Sequence, residues 1–365
     1  MRIESITAQP FPIPLIEPFV ISRASVSSTR AVLVRAKATS DESTATGYGE
    51  AALPLGSKEE PHQLVSEIEA ATEDLVGGEI DGLDDLSRAI DDAFSGTNPA
   101  RSGLHAALLD AMAQLAHAPV YRLLGAAKPI ALTTDITLPI APPARRAQLA
   151  TQHWGRGFRC FKMKVGADLD ADRQSIRAVA EATPEASLLL DANEGFEPAQ
   201  ALALLGFVET LGLEVTCFEQ PCPRADHAAL KAVRDATDVP IVADESIATM
   251  DDLERLLAAD AVDGVNLKLV KMGGIDRALP IGRAAKAAGL DLMVGAMIES
   301  RLGLTAMAHL VSALGGARWV DLDTAFLLAE DPYDGGMEAE GATLRLPDAP
   351  GFAIRPHSVA GGTSG

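Results

Sequence analysis

Short apolar runs recur along the second half of the chain, and a charged residue directly follows most of them. From Lys164 to Asp191 the spacing is 27 residues, from Asp191 to Glu219 it is 28, from Glu219 to Asp244 it is 25, and from Asp244 to Lys268 it is 24. Such an interval accommodates one strand, one helix and two loops. A period of this length is typical of architectures built from repeated units, and here it predicts alternating strands and helices.

From Ile130 onward this alternation predicts eight strands and seven helices. Several runs, such as Leu188 to Leu190, are continuously apolar, which is typical of parallel strands buried on both faces. Eight such strands favour a closed barrel. An open doubly wound sheet is the alternative prediction, and it is less well supported because no Gly-x-Gly-x-x-Gly motif follows a strand. We therefore predict an α/β fold with a TIM-type (β/α)7-8 barrel over residues 126–325. Strands are expected near 131–138, 158–164, 187–191, 214–219, 240–244, 263–268, 290–295 and 318–323, and helices near 143–154, 170–182, 197–210, 226–236, 249–258, 273–288 and 301–314.

Residues 1–125 do not follow this period, and strand-like segments precede helix-like ones there, as in an α+β domain. We interpret Gly47 to Glu50 as a turn and the polar stretch from Glu17 to Thr29 as a loop. Segment 326–365 has few helical signals and is expected to return to this domain and complete it. Strands are expected over Ile3–Pro14 and Ala31–Ala38, and helices over Pro61–Leu75, Asp84–Phe94 and Ala100–Ala116.

Composition narrows the range of partners. The formal net charge of −20 argues against nucleic acid and anionic membranes, although an acidic surface can also simply keep a protein dispersed. No apolar run approaches the ~18 residues that a membrane span requires. The N-terminus has no signal-peptide pattern, and three cysteines are a number typical of a reducing compartment. We expect a cytoplasmic protein.

Three acidic residues end successive predicted strands: Asp191, Glu219 and Asp244. Neighbouring strands lie ~4.8 Å apart, so three carboxylates at one level of the rim converge within side-chain reach. Oxygen ligands of this kind favour Mg²⁺, whereas zinc would call for His or Cys. Any one of the acids could instead cap the following helix, but three in consecutive units favour a magnesium site.

Lysines lie on two of the predicted strands. Lys162 and Lys164 alternate by two on one strand, so both point to the same face, and Lys268 ends a strand on the far side of the barrel. Burying a lysine is costly without a partner or a purpose. A second cation or a metal lowers a lysine pKa, so that one amine can act as a base. The alternative is that Lys162 and Lys164 lie outside the barrel with their stems on the helices.

The combination of these motifs resembles the enolase superfamily, muconate-lactonizing subgroup, over nearly the full chain. The resemblance implies an N-terminal capping domain, Mg²⁺ as cofactor, and isomerase chemistry in which a base and the metal stabilise an enediolate. The motifs are Lys162-Met163-Lys164, Asp191-Ala192-Asn193, Glu219-Gln220-Pro221, Asp244-Glu245-Ser246 and Lys268.

Asp321-Leu322-Asp323 at the eighth strand resembles the Asp-x-Asp motif of dipeptide epimerases, the best known of which act on L-Ala-D/L-Glu. Two carboxylates spaced by two share a face and can hold the ammonium of a dipeptide. Either could instead cap the next segment or pair with a rim lysine. The resemblance adds Thr134 and the backbone near Met297 as substrate contacts. Arg23 could pair with a glutamate side chain or be a solvated loop cation.

The sequence thus predicts a Mg²⁺-dependent dipeptide epimerase. Lys164 and Lys268 would act on opposite faces of the C-terminal residue's α-carbon, and Lys162 would stabilise the developing charge. Another subgroup activity remains open: muconate cycloisomerase, o-succinylbenzoate synthase or N-succinyl amino acid racemase. So does a non-catalytic metal-dependent binding protein. The preferred side chain (acidic, basic or hydrophobic) is open, and a homo-oligomer is possible because barrels of this family often assemble.

Overall fold

A computed structural model of the protein describes residues 1–21 and 24–357, so Arg23 lies outside the described residues. The N-terminal elements are β1 (Arg2–Pro10), β2 (Pro14–Ile21), β3 (Ala24–Ser28), β4 (Ala31–Thr39), β5 (Thr44–Ala52), α1 (Pro61–Leu75), α2 (Leu83–Ala93), α3 (Asn98–Leu115) and α4 (Val120–Leu123). Strands β1, β4 and β5 form an antiparallel sheet in the order β1-β4-β5. Helix α3 packs on this sheet and is buried almost all round.

The prediction of a turn at Gly47 to Glu50 was wrong, because these residues lie in the middle of β5. The two glycines serve close packing of the strand against α3. A Cβ on Gly47 would lie 2.1 Å from the backbone oxygen of Ala107, and one on Gly49 would lie 2.1 Å from that of Gly103. Glycine is required here by the approach of two backbones.

The predicted loop from Glu17 to Thr29 was also wrong. Strands β2 and β3 pair as an antiparallel hairpin in which Phe19 lies opposite Val26. The polar residues Glu17, Ser25 and Ser27 are exposed, whereas Phe19 is buried. A one-sided hairpin of this kind alternates polar and apolar positions.

The central part of the chain forms the predicted barrel, and the fold class is confirmed. Its elements are β6 (Leu132–Thr133), β7 (Ile136–Leu138), α5 (Pro143–Gly155), β8 (Cys160–Lys164), α6 (Leu169–Ala182), β9 (Ser187–Asp191), α7 (Pro198–Thr210), β10 (Val215–Glu219), α8 (His227–Arg234), β11 (Ile241–Ala243), α9 (Met250–Ala259), β12 (Gly264–Leu267), α10 (Leu269–Met272), α11 (Ile275–Ala287), β13 (Asp291–Gly295), α12 (Arg301–Leu314) and β14 (Trp319–Asp321). Strands β7 to β14 are parallel and follow one another in chain order. The short helix α10 was not predicted.

Side chains help to join the first and last strands of the barrel, a region that we call the seam. The backbone N–H of Asp135 donates to Val320 O at 2.9 Å. The Thr134 hydroxyl donates to the same oxygen at 3.2 Å and accepts from Leu322 N at 2.9 Å. Thr137 N donates to a carboxylate oxygen of Asp323 at 2.5 Å. These bonds satisfy backbone groups where the ladder between β7 and β14 is irregular.

The C-terminal segment touches both parts of the molecule. A 3₁₀ turn (Thr324–Leu327) leads to β15 (Tyr333–Gly335), β16 (Glu338–Glu340), β17 (Thr343–Arg345) and β18 (Ile354–Pro356). Strand β17 pairs with β6 beside the barrel. Leu328 forms a bridge to Leu15, and Gly351 O accepts from Val120 N at 3.1 Å, so the segment also contacts the N-terminal region.

Polar contacts dock the N-terminal domain on the barrel. Glu50 of β5 accepts hydrogen bonds from Ser300 N at 3.0 Å and Gly303 N at 3.1 Å, so it caps the N-terminus of α12. Arg101 of α3 pairs with Asp276 of α11 at 2.8 Å. A continuous apolar core runs through both parts. Within the described ranges, the structure has no helix whose length and apolar character would allow it to cross a membrane.

Candidate active site

Charged side chains gather where the barrel strands end. Lys164, Asp191 and Glu219 are the last residues of β8, β9 and β10, and the register aligns Lys164 with Asp191 and Asp191 with Glu219. Asp244 and Lys268 directly follow β11 and β12. This rim is the one at which TIM barrels carry their active sites.

Lysine ammonium groups lie between the three predicted metal ligands. Asp191 and Glu219 are fully buried, and Asp244 is nearly so. Lys162 Nζ is 2.6 Å from Glu219 Oε2 and 3.0 Å from Asp191 Oδ2. Lys268 Nζ is 2.8 Å from Asp244 Oδ2. We call Asp191, Glu219 and Asp244 the ligand group, in which each acid contacts at least one lysine.

A second set of acids lies at the seam. In the part of the chain that the structure describes, only Asp135, Asp321 and Asp323 bring three carboxylate oxygens within 4.8 Å of one another. We call these three residues the seam group. The predicted magnesium ligands lack this close mutual spacing because lysine side chains separate them.

The ligand group nevertheless fits a magnesium ion, because its donors are all hard carboxylate oxygens. Burial and the neighbouring Asp191 raise the pKa of Glu219 to about 8. Glu219 Oε2 is buried and accepts no hydrogen bond of normal geometry, although Lys162 is close. Burial acts to raise the pKa of Asp191, but Lys164 and Lys162 lower it overall. Keeping all these acids ionised requires strong positive charge, which a divalent cation supplies.

Lys162 is enclosed in the barrel. Its side chain is 1% exposed, and its Nζ also donates to Asp321 Oδ2 at 2.7 Å. Burial lowers the pKa of Lys162, but Asp321, Glu219 and Asp191 more than offset this, and the pKa is raised well above its usual value. Lys162 is therefore a fixed positive charge between the ligand group and the seam group.

Lys164 and Lys268 approach the site from opposing walls, since β9, β10 and β11 lie between their strands. Both line one cavity of about 480 Å³. Lys164 Nζ lies 2.5 Å from Asp191 Oδ2. Burial lowers the pKa of Lys268, but Asp244 and Glu219 raise it overall. Lys162 and Lys164 both point into the barrel, so the interpretation that these two lysines pack outside on the helices is excluded.

Sequence analysis missed two polar residues that support the ligand group. Lys271 Nζ contacts the carboxylate and the backbone oxygen of Asp244. Asn266 Nδ2 donates to Glu219 Oε1 at 2.7 Å. The sequence spacing from Lys268 could have indicated both residues. Asn266 lies two residues before Lys268 on the same strand face, and Lys271 lies about one helical turn after it.

The seam group is only partly paired. Asp321 accepts from Lys162, and Asp323 Oδ2 accepts from the backbone of Thr137 at 2.5 Å. Burial and the nearby Asp321 raise the pKa of Asp323 to about 7. Asp321 and Asp323 both line the cavity, and both are buried.

The remaining predicted substrate contacts are Thr134, Met297 and Arg23. The hydroxyl of Thr134 is used in the seam, and Thr137 lines the cavity instead. Met297 lines the cavity, but its backbone N–H donates to Glu299 at 2.8 Å. Arg23 lies outside the described residues.

The N-terminal domain forms an apolar wall of the cavity. Phe19, Pro54 and Leu55 contribute to it, and Ile247 and Ile298 belong to the barrel side of the same cavity. The polar groups lie on the barrel floor, so the cavity has one charged end and one apolar side.

Family models match most of the chain. The model described as "Mandelate racemase / muconate lactonizing enzyme, N-terminal domain" matches residues 3–125, and the model described as "Enolase C-terminal domain-like" matches residues 145–359. The protein belongs to the mandelate racemase/muconate lactonizing enzyme family of the enolase superfamily.

Its relatives in this family include named epimerases. The L-Ala-D/L-Glu epimerase of Bacillus subtilis is 34% identical over 97% of this chain and 97% of that protein. Its substrate-liganded structure superposes with a TM-score of 0.91, at 33% identity over 98% of this chain and 100% of that chain. The aromatic dipeptide epimerase of Herpetosiphon aurantiacus is 33% identical over 96% of this chain and 98% of that protein. The dipeptide epimerase of Enterococcus faecalis, in complex with Mg and L-Leu-L-Tyr, has a TM-score of 0.90, at 31% identity over 98% of this chain and 100% of that chain.

Proposed function

We propose that this protein is a magnesium-dependent dipeptide epimerase, an isomerase that inverts the α-carbon of a dipeptide's C-terminal residue. The observation that carries the proposal is the arrangement of one cavity, with Lys164 and Lys268 on opposing walls and Asp321 and Asp323 at one end. The names of the relatives agree with it, since they act on dipeptides or are complexed with Mg and a dipeptide.

Asp191, Glu219 and Asp244 would hold the magnesium ion. When bound there, the ion supplies positive charge that stabilises the negative charge developing on the substrate carboxylate. Lys162 adds a second fixed positive charge at 2.6 Å from Glu219. Because Lys162 is buried and paired, it requires no reorganisation during the reaction.

The two lysines on opposing walls carry the proton transfer. The one that is uncharged removes the α-proton, and the charged one on the other wall returns a proton to the opposite face. The exchange of roles between the two accounts for reaction in both directions. The residues of the ligand group hold both amines in position through Asp191 and Asp244.

Asp321 and Asp323 would bind the ammonium of the N-terminal residue. This pair distinguishes the proposal from the other subgroup activities, because a substrate without a free amine gains no compensation for two buried carboxylates. The same contrast argues against an N-succinyl amino acid racemase. A purely binding protein would not need amines on both walls.

The side chain of the C-terminal residue would face the apolar wall formed by Phe19, Pro54 and Leu55. This wall favours an uncharged side chain. A glutamate side chain would need Arg23, which lies outside the described residues. A cytoplasmic location, a homo-oligomer, and the division into 1–125 with 326–365 and 126–325 stay predictions from the sequence.

Solvent exchange tests the proposal. The protein is incubated with Mg²⁺ in deuterated water with L-Ala-L-Glu, L-Ala-L-Leu or L-Ala-L-Lys, and with the N-succinyl form of each C-terminal amino acid. We expect deuterium at the α-carbon of the C-terminal residue of at least one dipeptide, seen by NMR, and none on the succinyl compounds. Deuterium exchange on an N-succinyl amino acid but on no dipeptide would contradict this proposal and indicate an N-succinyl amino acid racemase.

A further inference from the structure

Asp135 is a buried carboxyl group to which the proposed reaction gives no role. It lies between β6 and β7 at the seam, is 4% exposed, and has no hydrogen-bond partner for either side-chain oxygen among the described residues. A buried ionised carboxylate without partners is strongly disfavoured. Its neighbours must therefore explain how it is tolerated.

The ionisable groups around Asp135 are mostly acidic. One of its oxygens lies within 4.8 Å of one oxygen of Asp321 and of one oxygen of Asp323. The positive charge of Lys162 acts on Asp135, and Lys162 itself pairs with Asp321 at 2.7 Å.

One ammonium cannot offset three ionised carboxylates, and Lys162 is also engaged by the ligand group at 2.6 Å and 3.0 Å. Carboxyl groups that share a site in this way hold a proton between them. The proton belongs on Asp135, because Asp321 accepts from Lys162 and Asp323 accepts from Thr137 N, whereas Asp135 accepts from no group in the part of the chain that the structure describes.

We propose that Asp135 carries a proton and donates it in a hydrogen bond to Asp321, and so positions the Asp321–Asp323 pair for the ammonium of a dipeptide. The inference rests on the proposed function. Asp135 is a positioning residue, because Asp321 and Asp323 line the cavity and it does not. Burial and the neighbouring Asp321 raise the pKa of Asp135 well above its usual value, in agreement with a neutral carboxyl group.

A neutral Asp135 also balances the charges at the seam. The seam group then carries two negative charges, of which Lys162 offsets one. The remaining negative charge matches a single ammonium group. Three ionised carboxylates would attract a divalent cation to the seam, in competition with the substrate.

Two isosteric substitutions test this role. Asp135→Asn keeps the shape and a hydrogen-bond donor toward Asp321, whereas Asp135→Leu removes the donor. With the dipeptide that exchanges best, we expect Asp135→Asn to lower kcat/KM less than about threefold. Asp135→Leu should lower it at least about tenfold, mainly through KM. Equal losses in both variants, or no loss in Asp135→Leu, would overturn the proposal.

An infrared difference spectrum tests the proton without any substrate. Wild type minus Asp135→Asn at neutral pH should show the carbonyl stretch of a protonated carboxylic acid, and a carboxylate band in its place would overturn the proposal. Thermal melting shows whether each variant folds, and if Asp135→Leu does not fold, the infrared difference spectrum, which uses Asp135→Asn, decides. If the wild type exchanges no dipeptide, the proposed function fails, while the infrared band still reports whether Asp135 is protonated.

Discussion

The ligand group and the seam group are both sets of three buried acids, yet they are neutralised differently. Each acid of the ligand group contacts a lysine. Among the described residues, Lys162 is the only cation that contacts the seam group, and both oxygens of Asp135 and Oδ1 of Asp323 have no hydrogen-bond partner. The first environment is rich in positive charge and suits a substrate carboxylate. The second retains negative charge and suits an ammonium. A dipeptide is a zwitterion with these two ends, so the contrast orients it in the cavity.

The largest expected effect comes from replacing one of the two lysines on the opposing walls of the cavity. Lys164→Met and Lys268→Met should each lower kcat by about 10²–10⁴, the usual contribution of a general acid or base. Each variant should still exchange the α-proton of one of the two epimeric dipeptides, the one whose proton faces the remaining lysine. Rates and NMR exchange with L,L and L,D dipeptides measure both effects.

Lys286→Met serves as the control, because Lys286 donates to Leu314 O away from the cavity. It should leave the rate unchanged. Loss of exchange on both the L,L and the L,D dipeptide in a single, folded lysine variant would contradict the assignment of one lysine to each face.

Removing a negative charge from the seam group should weaken binding of the dipeptide. Asp323→Asn should raise KM for the dipeptide by about 10- to 150-fold, because a hydrogen bond to a charged group contributes about 1.5–3 kcal/mol. It should not change the weak binding of an N-acetyl dipeptide, which lacks the ammonium. Isothermal titration with both compounds measures the difference. Asp331→Asn, at an exposed position, is the matched control. Equal losses for the two ligands would show that the seam is not the ammonium site.

The polar support of the ligand group can be weakened without touching a ligand. Asn266→Leu removes the bond to Glu219 Oε1, which is 2.7 Å long. We expect Mg²⁺ affinity to fall by about 10–100-fold, as is usual for outer-shell partners of metal ligands. Titration with Mn²⁺ followed by electron paramagnetic resonance measures this directly. An unchanged metal affinity in Asn266→Leu would show that Asn266 does not support the metal site.

The smallest expected effect is a pH dependence at the seam. The pKa of Asp323 is about 7, so Asp323 gains a proton as the pH falls through 7 and loses its attraction for an ammonium. We expect kcat/KM for a dipeptide to fall several-fold between about pH 7.5 and about pH 6, since this ratio reports the free enzyme. In Asp323→Asn this limb of the profile should be absent. A profile that is unchanged in the variant would assign the titration to another group.

The periodic part of the sequence was the most informative. Buried parallel strands such as β9 are mostly apolar, and charged residues such as Asp191 interrupt that pattern where a strand ends at the rim, with Lys162 inside β8 as an exception. Both properties are local, so strands, helices and candidate ligands could be predicted together. Helix α12 was predicted with the bounds that the structure shows.

What could not be predicted depends on contacts between distant segments. Gly47 resembles a turn residue, and only the approach of α3 shows that it serves packing. Thr134 and Thr137 are equivalent by residue type, and the closure of the barrel decides which one reaches the cavity. Asp135 stands outside the regular strand-end pattern, and its meaning appears only when β14 brings Asp321 beside it.

The seam has a consequence for the mechanics of the barrel. Asp323 is bonded to the backbone of Thr137 across the join between the first and last strands, and it is also a proposed anchor for the ligand. A ligand bound to Asp323 should therefore stabilise the contact between the first and last strands of the barrel. Bound dipeptide should slow amide hydrogen exchange in β7 and β14 more than in β10, which lies far from the join.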